Sequence, residues 1–300
     1  MKIILTSDVE LWSWSRNFKK DIEIALNKLV ELEKKENIPI TFFVSLSDKG
    51  YGEEDYLKKI IKVIKKIKDK NIEFGIHTHC KGLSIDFIKE DNLGDYDKKQ
   101  IIKILVWNKK ELEKATGKKV IVHRAGNYGI RDLNSLNDIF KKLGLKIDSS
   151  NINQYYSIPK KYNNFVEIPP ATNKEYSKKL IVWSPEQMSL KELTNFYYKS
   201  KKKTDILVIN FHSFSVYGDL GKKKKIWYSL PRFVRGLLKP FIKKMKEKKR
   251  KNKPEEELVV SKNYEKLLRM IRFLKKQGDE FINFQQYLDN GFKNVKQLSN

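Results

Sequence analysis

Short β-rich runs alternate with amphipathic helical stretches along almost the whole of this 300-residue chain, and no other feature constrains its fold as strongly. Such alternation feeds parallel strands joined by crossover helices, so it predicts an α/β fold. The clearest runs are residues 2–8, 39–44, 72–79, 120–122, 145–147 and 206–211, with shorter candidates at 165–168 and 180–183. A last strand is expected over Phe281–Phe284. Helical periodicity is readable near 54–68, 97–115, 131–143, 189–199 and 261–276, and Gly117 and Gly144 stand where two of these helices should stop. Together the units predict a single distorted (β/α) barrel of about seven strands. Residues 1–215 and 258–291 would form the barrel, residues 216–257 a basic amphipathic helical insertion, and residues 292–300 a tail.

The four histidines, His77, His79, His123 and His212, each close one of the apolar runs. In parallel α/β folds the C-terminal ends of strands are where binding and catalytic groups gather. His77 and His79 are spaced i, i+2, which on an extended backbone puts both imidazoles on one face. Asp8 and Glu10 repeat that spacing at the end of the first run. Two imidazoles and a carboxylate make a divalent-metal site. An isolated His-x-His more often just ends a strand, and it is the placing of the other histidines that favours a site.

The single cysteine, Cys80, excludes an intrachain disulfide framework. The start of the chain lacks the apolar core of a signal peptide, and no apolar run is long enough to span a bilayer, so a cytoplasmic protein is expected. The formal charge of +26 is partly a diffuse lysine bias and partly local. Residues 222–253 hold fifteen Lys or Arg and one acid, Glu247. Within them Phe233, Leu237 and Phe241 belong to an apolar row at helical spacing, Arg232, Arg235 and Lys239 fall between, and Trp227 precedes it. That pattern suits a helix lying on an anionic membrane surface, where each basic residue is worth about 1 kcal/mol. It places the protein peripherally on the inner face of the cell membrane. The plain alternative is a helix packed on the barrel and followed by a lysine tail. Nucleic acid is disfavoured as a partner, because no helix-turn-helix, RNP or zinc-finger pattern accompanies the charge.

A metal held by His77, His79 and one of Asp8 or Glu10 would polarise a carbonyl and activate a water. Hydrolysis then needs a base, an oxyanion stabiliser and an acid. Asp8 and Glu10 are candidates for base and ligand, and His212 is the candidate acid. Arg124 can hold the basic carboxylate, and the turn at Gly126, Asn127 and Tyr128 offers backbone N–H groups to an oxyanion.

At these residues the chain resembles the polysaccharide deacetylase family (carbohydrate esterase family 4), which removes acetyl groups from sugars. The resemblance rests on Thr6-Ser7-Asp8-Val9-Glu10, on Glu73-Phe74-Gly75-Ile76-His77-Thr78-His79, on Arg124-Ala125-Gly126-Asn127-Tyr128-Gly129, on a weak fourth motif at Asp148-Ser149-Ser150, and on Asn210-Phe211-His212-Ser213. It implies Asp8 as general base, His212 as general acid, Arg124 as partner of Asp8, and a metal that is usually Zn2+. Two positions depart from the family pattern. Val9 stands where a second aspartate is common, and Lys81 stands where the second histidine usually falls. Glu10 and His79 then become the substitute ligands beside His77. The resemblance implies an N-acetylated sugar substrate, and the basic helix with the expected cytoplasmic location suggests the place of action, on a nucleotide- or lipid-linked sugar in surface polysaccharide or lipopolysaccharide biosynthesis. The other readings are hydrolysis of a different non-peptide C–N bond, and a catalytically silent carbohydrate-binding or membrane-surface member.

Overall fold

The structure, a computed structural model, describes residues 1–11, 17–47, 55–130, 132–152, 156–172, 181–218, 259–290 and the backbone of 296–297. The basic insertion, from Trp227 through Arg232, Phe233, Arg235, Leu237, Lys239 and Phe241, lies outside these residues, as do 292–295 and 298–300 of the expected tail. The strands are β1 (Lys2–Val9), β2 (Ile40–Val44), β3 (Ile72–Thr78), β4 (Val122–Ala125), β5 (Ile147–Asp148), β6 (Lys160–Lys161), β7 (Val166–Glu167), β8 (Ile206–His212), β9 (Glu280–Phe281) and β10 (Lys296–Gln297). The α-helices are α1 (Ala25–Glu36), α2 (Tyr56–Lys65), α3 (Lys98–Thr116), α4 (Asn137–Leu143), α5 (Leu190–Ser200), α6 (Lys262–Lys276) and α7 (Phe284–Asp289). No helix among the described residues is long and apolar enough to cross a membrane.

Seven parallel strands run side by side in the order β7-β5-β4-β3-β2-β1-β8, with the short β10 and β6 beyond β7 and β9 paired to β1. This is the expected (β/α) barrel of about seven strands, strongly distorted. Among the described residues its wall is joined near β8 by a main-chain bond from the Ala171 N–H to the Val208 carbonyl at 3.3 Å and by the Val208 N–H donating to Ser157 Oγ at 2.9 Å. The expected last strand is cut short. Only Glu280 and Phe281 are extended, because Asn283 accepts the Gln286 N–H and starts α7 with a capping box. Gly117 and Gly144 do end α3 and α4, in the left-handed conformation that glycine adopts without a Cβ clash.

The period-2 alternation of each strand divides the interior in two. Ile3 and Leu5 of β1, Phe42 and Val44 of β2, and Phe74 and Ile76 of β3 face the helices and join the main core. Ile4, Phe43, Val122, Ile147, Val166 and Val208 face inward and form a separate cluster with Phe284 and Tyr287 of α7, which fill one end. Inward-facing Glu73 binds that end shut, accepting hydrogen bonds from Thr41 Oγ1 (2.6 Å) and from the N–H groups of Phe284 (3.1 Å) and Gln285 (2.9 Å) at the start of α7. Inward-facing Gly75 is small for a reason. A Cβ there would meet the Phe43 ring at 2.8 Å.

Candidate active site

At the other end of the same inward rows the apolar residues give way to Thr6, Asp8, Arg124, Asn210 and His212. Arg124 is fully buried and lies over the Phe43 ring, its guanidinium carbon 4.0 Å from the centroid. Its Nη1 donates to Asp8 Oδ1 (2.6 Å), Thr6 Oγ1 (3.0 Å) and Asn210 Oδ1 (3.0 Å), while Nε and Nη2 donate to the carbonyl and hydroxyl of Ser149. Asn210 Nδ2 donates in turn to Asp8 Oδ2 (3.0 Å) and to the Tyr128 hydroxyl (2.7 Å). Burial alone would raise the Asp8 carboxyl. The Arg124 charge, with His77 and His212 behind it, outweighs that effect and holds it below the usual carboxylate value.

Glu10, one inward step past Asp8, meets His77 and His79. Its Oε2 lies 2.8 Å from His79 Nε2 and 3.5 Å from His77 Nε2, and the three ligand atoms lie within 4.8 Å of one another. A tetrahedral ion with ligands at about 2.1 Å spaces them about 3.4 Å apart. The cluster therefore fits a divalent metal in size and donor type. Each imidazole is also held at its other nitrogen, as metal-binding histidines are. His77 Nδ1 lies 3.1 Å from the Arg124 carbonyl, and His79 Nδ1 lies 2.9 Å from Asp91 Oδ2. Burial would lower His79, but Glu10, then Asp91, lift it to about 10. Burial would also raise Glu10, and the two histidines pull it well below the usual range.

His212 ends β8 beside Asp8, in register with it. Its Nε2 stands 3.9 Å from Asp8 Oδ2 and 3.7 Å from Glu10 Oε1. Glu186 grips it from behind, accepting the His212 N–H at Oε1 (2.6 Å) and facing Nδ1 with Oε2 (2.8 Å). Burial pulls the imidazole down, yet Glu186, followed by Asp8 and Glu10, raises it to about 9.

The turn after β4 acts as a brace. Gly126 leaves the space that the His79 ring occupies, since a Cβ would stand 2.7 Å from three ring atoms. Asn127 and Tyr128 both take positive φ, 52° and 55°. The first donates to Asp91 and the second accepts from Asn210. The Gly129 N–H closes the turn on the Gly126 carbonyl.

Six predicted residues thus come together: Asp8, Glu10, His77, His79, Arg124 and His212. One member of the histidine set does not. His123 faces the helices, because the parity of β4 turns Arg124 inward and His123 outward, where its Nδ1 pairs with Asp148 Oδ1 at 2.6 Å. Asp148, the weak fourth motif, therefore points away from the site. Sequence reading missed Glu186, Asp91, Asn210 and Thr6. The last two were legible, each lying two residues before a named group on the same strand face. Glu186 and Asp91 sit in irregular segments with no period to place them.

Residues 20–147 match the sequence model of the polysaccharide deacetylase family, a span holding His77, His79 and Arg124 but not Asp8, Glu10 or His212. No match is found among curated protein sequences. Among solved structures, one similar chain is a Mycobacterium smegmatis protein assigned as a polysaccharide deacetylase. Its TM-score is 0.55 at 12% identity, over 96% of this chain and 89% of the other. A mutant of BA3943 from Bacillus anthracis, described as a CE4 family pseudoenzyme with restored enzymatic activity, gives 0.50 at 16%, over 96% and 67%. The Bc1960 peptidoglycan N-acetylglucosamine deacetylase gives 0.50 at 16%, over 95% and 86%. At such identities the likeness is one of fold. Taken with the matched span, it makes the chain similar in sequence to the polysaccharide deacetylase family over residues 20–147, and similar in fold to solved proteins described as polysaccharide deacetylases and as members of the CE4 family.

Proposed function

We propose that this chain is a metal-dependent deacetylase that removes the acetyl group from an N-acetylated sugar. The observation that carries the reading is the meeting, at one strand-end mouth, of a His-His-carboxylate cluster, an arginine-held aspartate and a glutamate-held histidine. A divalent ion bound by Glu10, His77 and His79, taken here to be zinc, supplies Lewis-acid polarisation of the acyl oxygen and acidifies a water. Asp8 accepts the proton of the attacking water. Arg124 keeps that carboxylate ionised and occupies Oδ1, so that Oδ2 faces His212. His212 gives a proton from Nε2 to the departing amine, and Glu186 keeps that nitrogen turned toward the mouth. Backbone N–H groups of the Gly126, Asn127 and Tyr128 turn are assigned to the acyl oxygen. Atoms balance as water plus amide giving acetate plus amine.

The place of action is proposed from sequence alone. The basic amphipathic segment around Trp227–Phe241 would hold the enzyme on the inner, anionic face of the membrane, where a lipid- or nucleotide-linked sugar of surface polysaccharide or lipopolysaccharide assembly is the substrate.

Asp8→Asn is expected to lower acetate release from N-acetylated sugars by about 10²–10⁴-fold without changing bound zinc. Undiminished release removes Asp8 from its role, and release of ammonia instead of acetate points to a different C–N bond. Deleting residues 222–253 is expected to free the protein from anionic liposomes. Binding that survives the deletion refutes the membrane assignment.

A further inference from the structure

We infer that Asp91 is a positioning residue for His79: a carboxylate outside the ligand set that fixes which ring nitrogen faces Glu10 and so sets the affinity for the metal. This rests on the metal reading above and extends it to a residue in the irregular segment between β3 and α3. His79 lies one residue past the end of β3, so the strand ladder that orients His77 does not reach it. His77 is steadied by a main-chain carbonyl of the neighbouring strand, the Arg124 C=O. His79 has Asp91 in that place, with Oδ2 at 2.9 Å from Nδ1 and Glu10 at 2.8 Å from Nε2 on the opposite edge of the ring.

Asp91 is itself fixed from several directions. Its Oδ1 accepts the Lys81 N–H at 3.1 Å, and its main-chain carbonyl accepts the Cys80 N–H at 3.2 Å. Its Oδ2 accepts a second bond, from Asn127 Nδ2 at 2.9 Å. The segment is tied to the turn after β4 once more, by the Gly94 N–H on the Gly129 carbonyl at 2.7 Å. The left-handed backbone at Asn127 is what aims its amide at Asp91. The short His-x-His spacing puts both rings on one face, and Asp91 supplies the second ring with an anchor that the strand does not.

Competition for zinc between the full chain and a chromophoric chelator tests this. Asp91→Asn and Asp91→Ala are expected to weaken zinc binding by about 10–100-fold, the usual effect of losing an outer partner of a metal-binding histidine. The circular dichroism and melting temperature of the metal-free protein should stay close to wild type. Asn127→Gly keeps the left-handed backbone and removes only the amide, and should weaken zinc in the same direction by less. Folded Asp91 variants that hold zinc within about threefold of wild type overturn the inference, as does a fall in melting temperature with unchanged affinity. If Asp91→Ala does not fold, Asp91→Asn and Asn127→Gly decide by the same criterion. Wild-type protein that is folded but takes up no zinc brings down the metal reading together with this one. Zinc binding that Glu10→Gln abolishes and the Asp91 variants leave intact brings down this one alone.

Discussion

Two histidine–carboxylate pairs stand on opposite faces of the same sheet. Inside the barrel His212 Nδ1 meets Glu186 at 2.8 Å, and outside it His123 Nδ1 meets Asp148 at 2.6 Å. The chemistry of the contacts is nearly the same, and the surroundings are not. The His212 side chain is 23% exposed and its Nε2 looks across a gap at Asp8 and Glu10. His123 and Asp148 are 0% exposed, and every direction is filled: Thr78 Oγ1 lies 3.2 Å from His123 Nε2, the Phe140 ring stands edge-on to the imidazole, and Ser150 donates twice to Asp148. Glu167 completes this row across the strands. Burial, then the charge of Asp148, pushes its carboxyl well above the usual range, while Asp148 stays low through its bond to His123. A pair with an open side can exchange protons with a ligand. A sealed pair can only hold strands together.

Breaking the outer pair should therefore damage stability and spare chemistry, and this is the largest effect expected. His123→Leu leaves the Asp148 carboxylate buried without its ring partner, a loss of about 3–5 kcal/mol in urea unfolding. The folded fraction should still bind zinc and release acetate at the wild-type rate. A His123 variant of unchanged stability that has lost turnover would move this residue into the site and undo the distinction.

The sequence makes the fold legible because barrel strands and crossover helices carry different periods, 2 and 3.6, over segments long enough to separate. It makes part of the site legible because Asp8, Glu10, His77 and His79 repeat the strand period at strand ends. The same rule, applied strictly, assigns His123: it neighbours Arg124, and two adjacent strand residues cannot both face inward. Grouping the four histidines by position at the end of a run, without parity, does not by itself separate His123 from the other three. Phe281–Phe284 failed for another reason. Its apolar residues suit a strand as well as the first turn of a helix, and the Asn283 cap with Gln286 three residues on decides for the helix. Glu186 and Asp91 were beyond reach, since nothing local to an irregular segment says which distant histidine it will touch.

The inner pair gives the next prediction. Glu186→Gln keeps the size of the side chain and replaces one acceptor facing His212 with a donor amide. The imidazole then loses the partner that turns Nε2 toward Asp8, and turnover should fall by about 10²-fold, the scale of misplacing a reacting group. Zinc content and unfolding midpoint should change little. A collapse in stability with normal turnover would make Glu186 the counterpart of Asp148, and the two pairs would no longer differ in kind.

The smallest expected effect is the sharpest test of parity. Thr78 lies between the two proposed metal ligands, yet its side chain points to the other face and bonds to His123. Thr78→Val has nearly the same shape and removes only the hydroxyl, so the outer row should lose about 1 kcal/mol, the scale of one buried hydrogen bond. Zinc affinity and acetate release should match wild type, although His77 and His79 are its immediate neighbours. A zinc affinity weakened tenfold or more, about 1.4 kcal/mol, would mean that the two faces of β3 are coupled through the strand backbone. In that case the outward row does more than hold strands together: it helps to aim the rings inside.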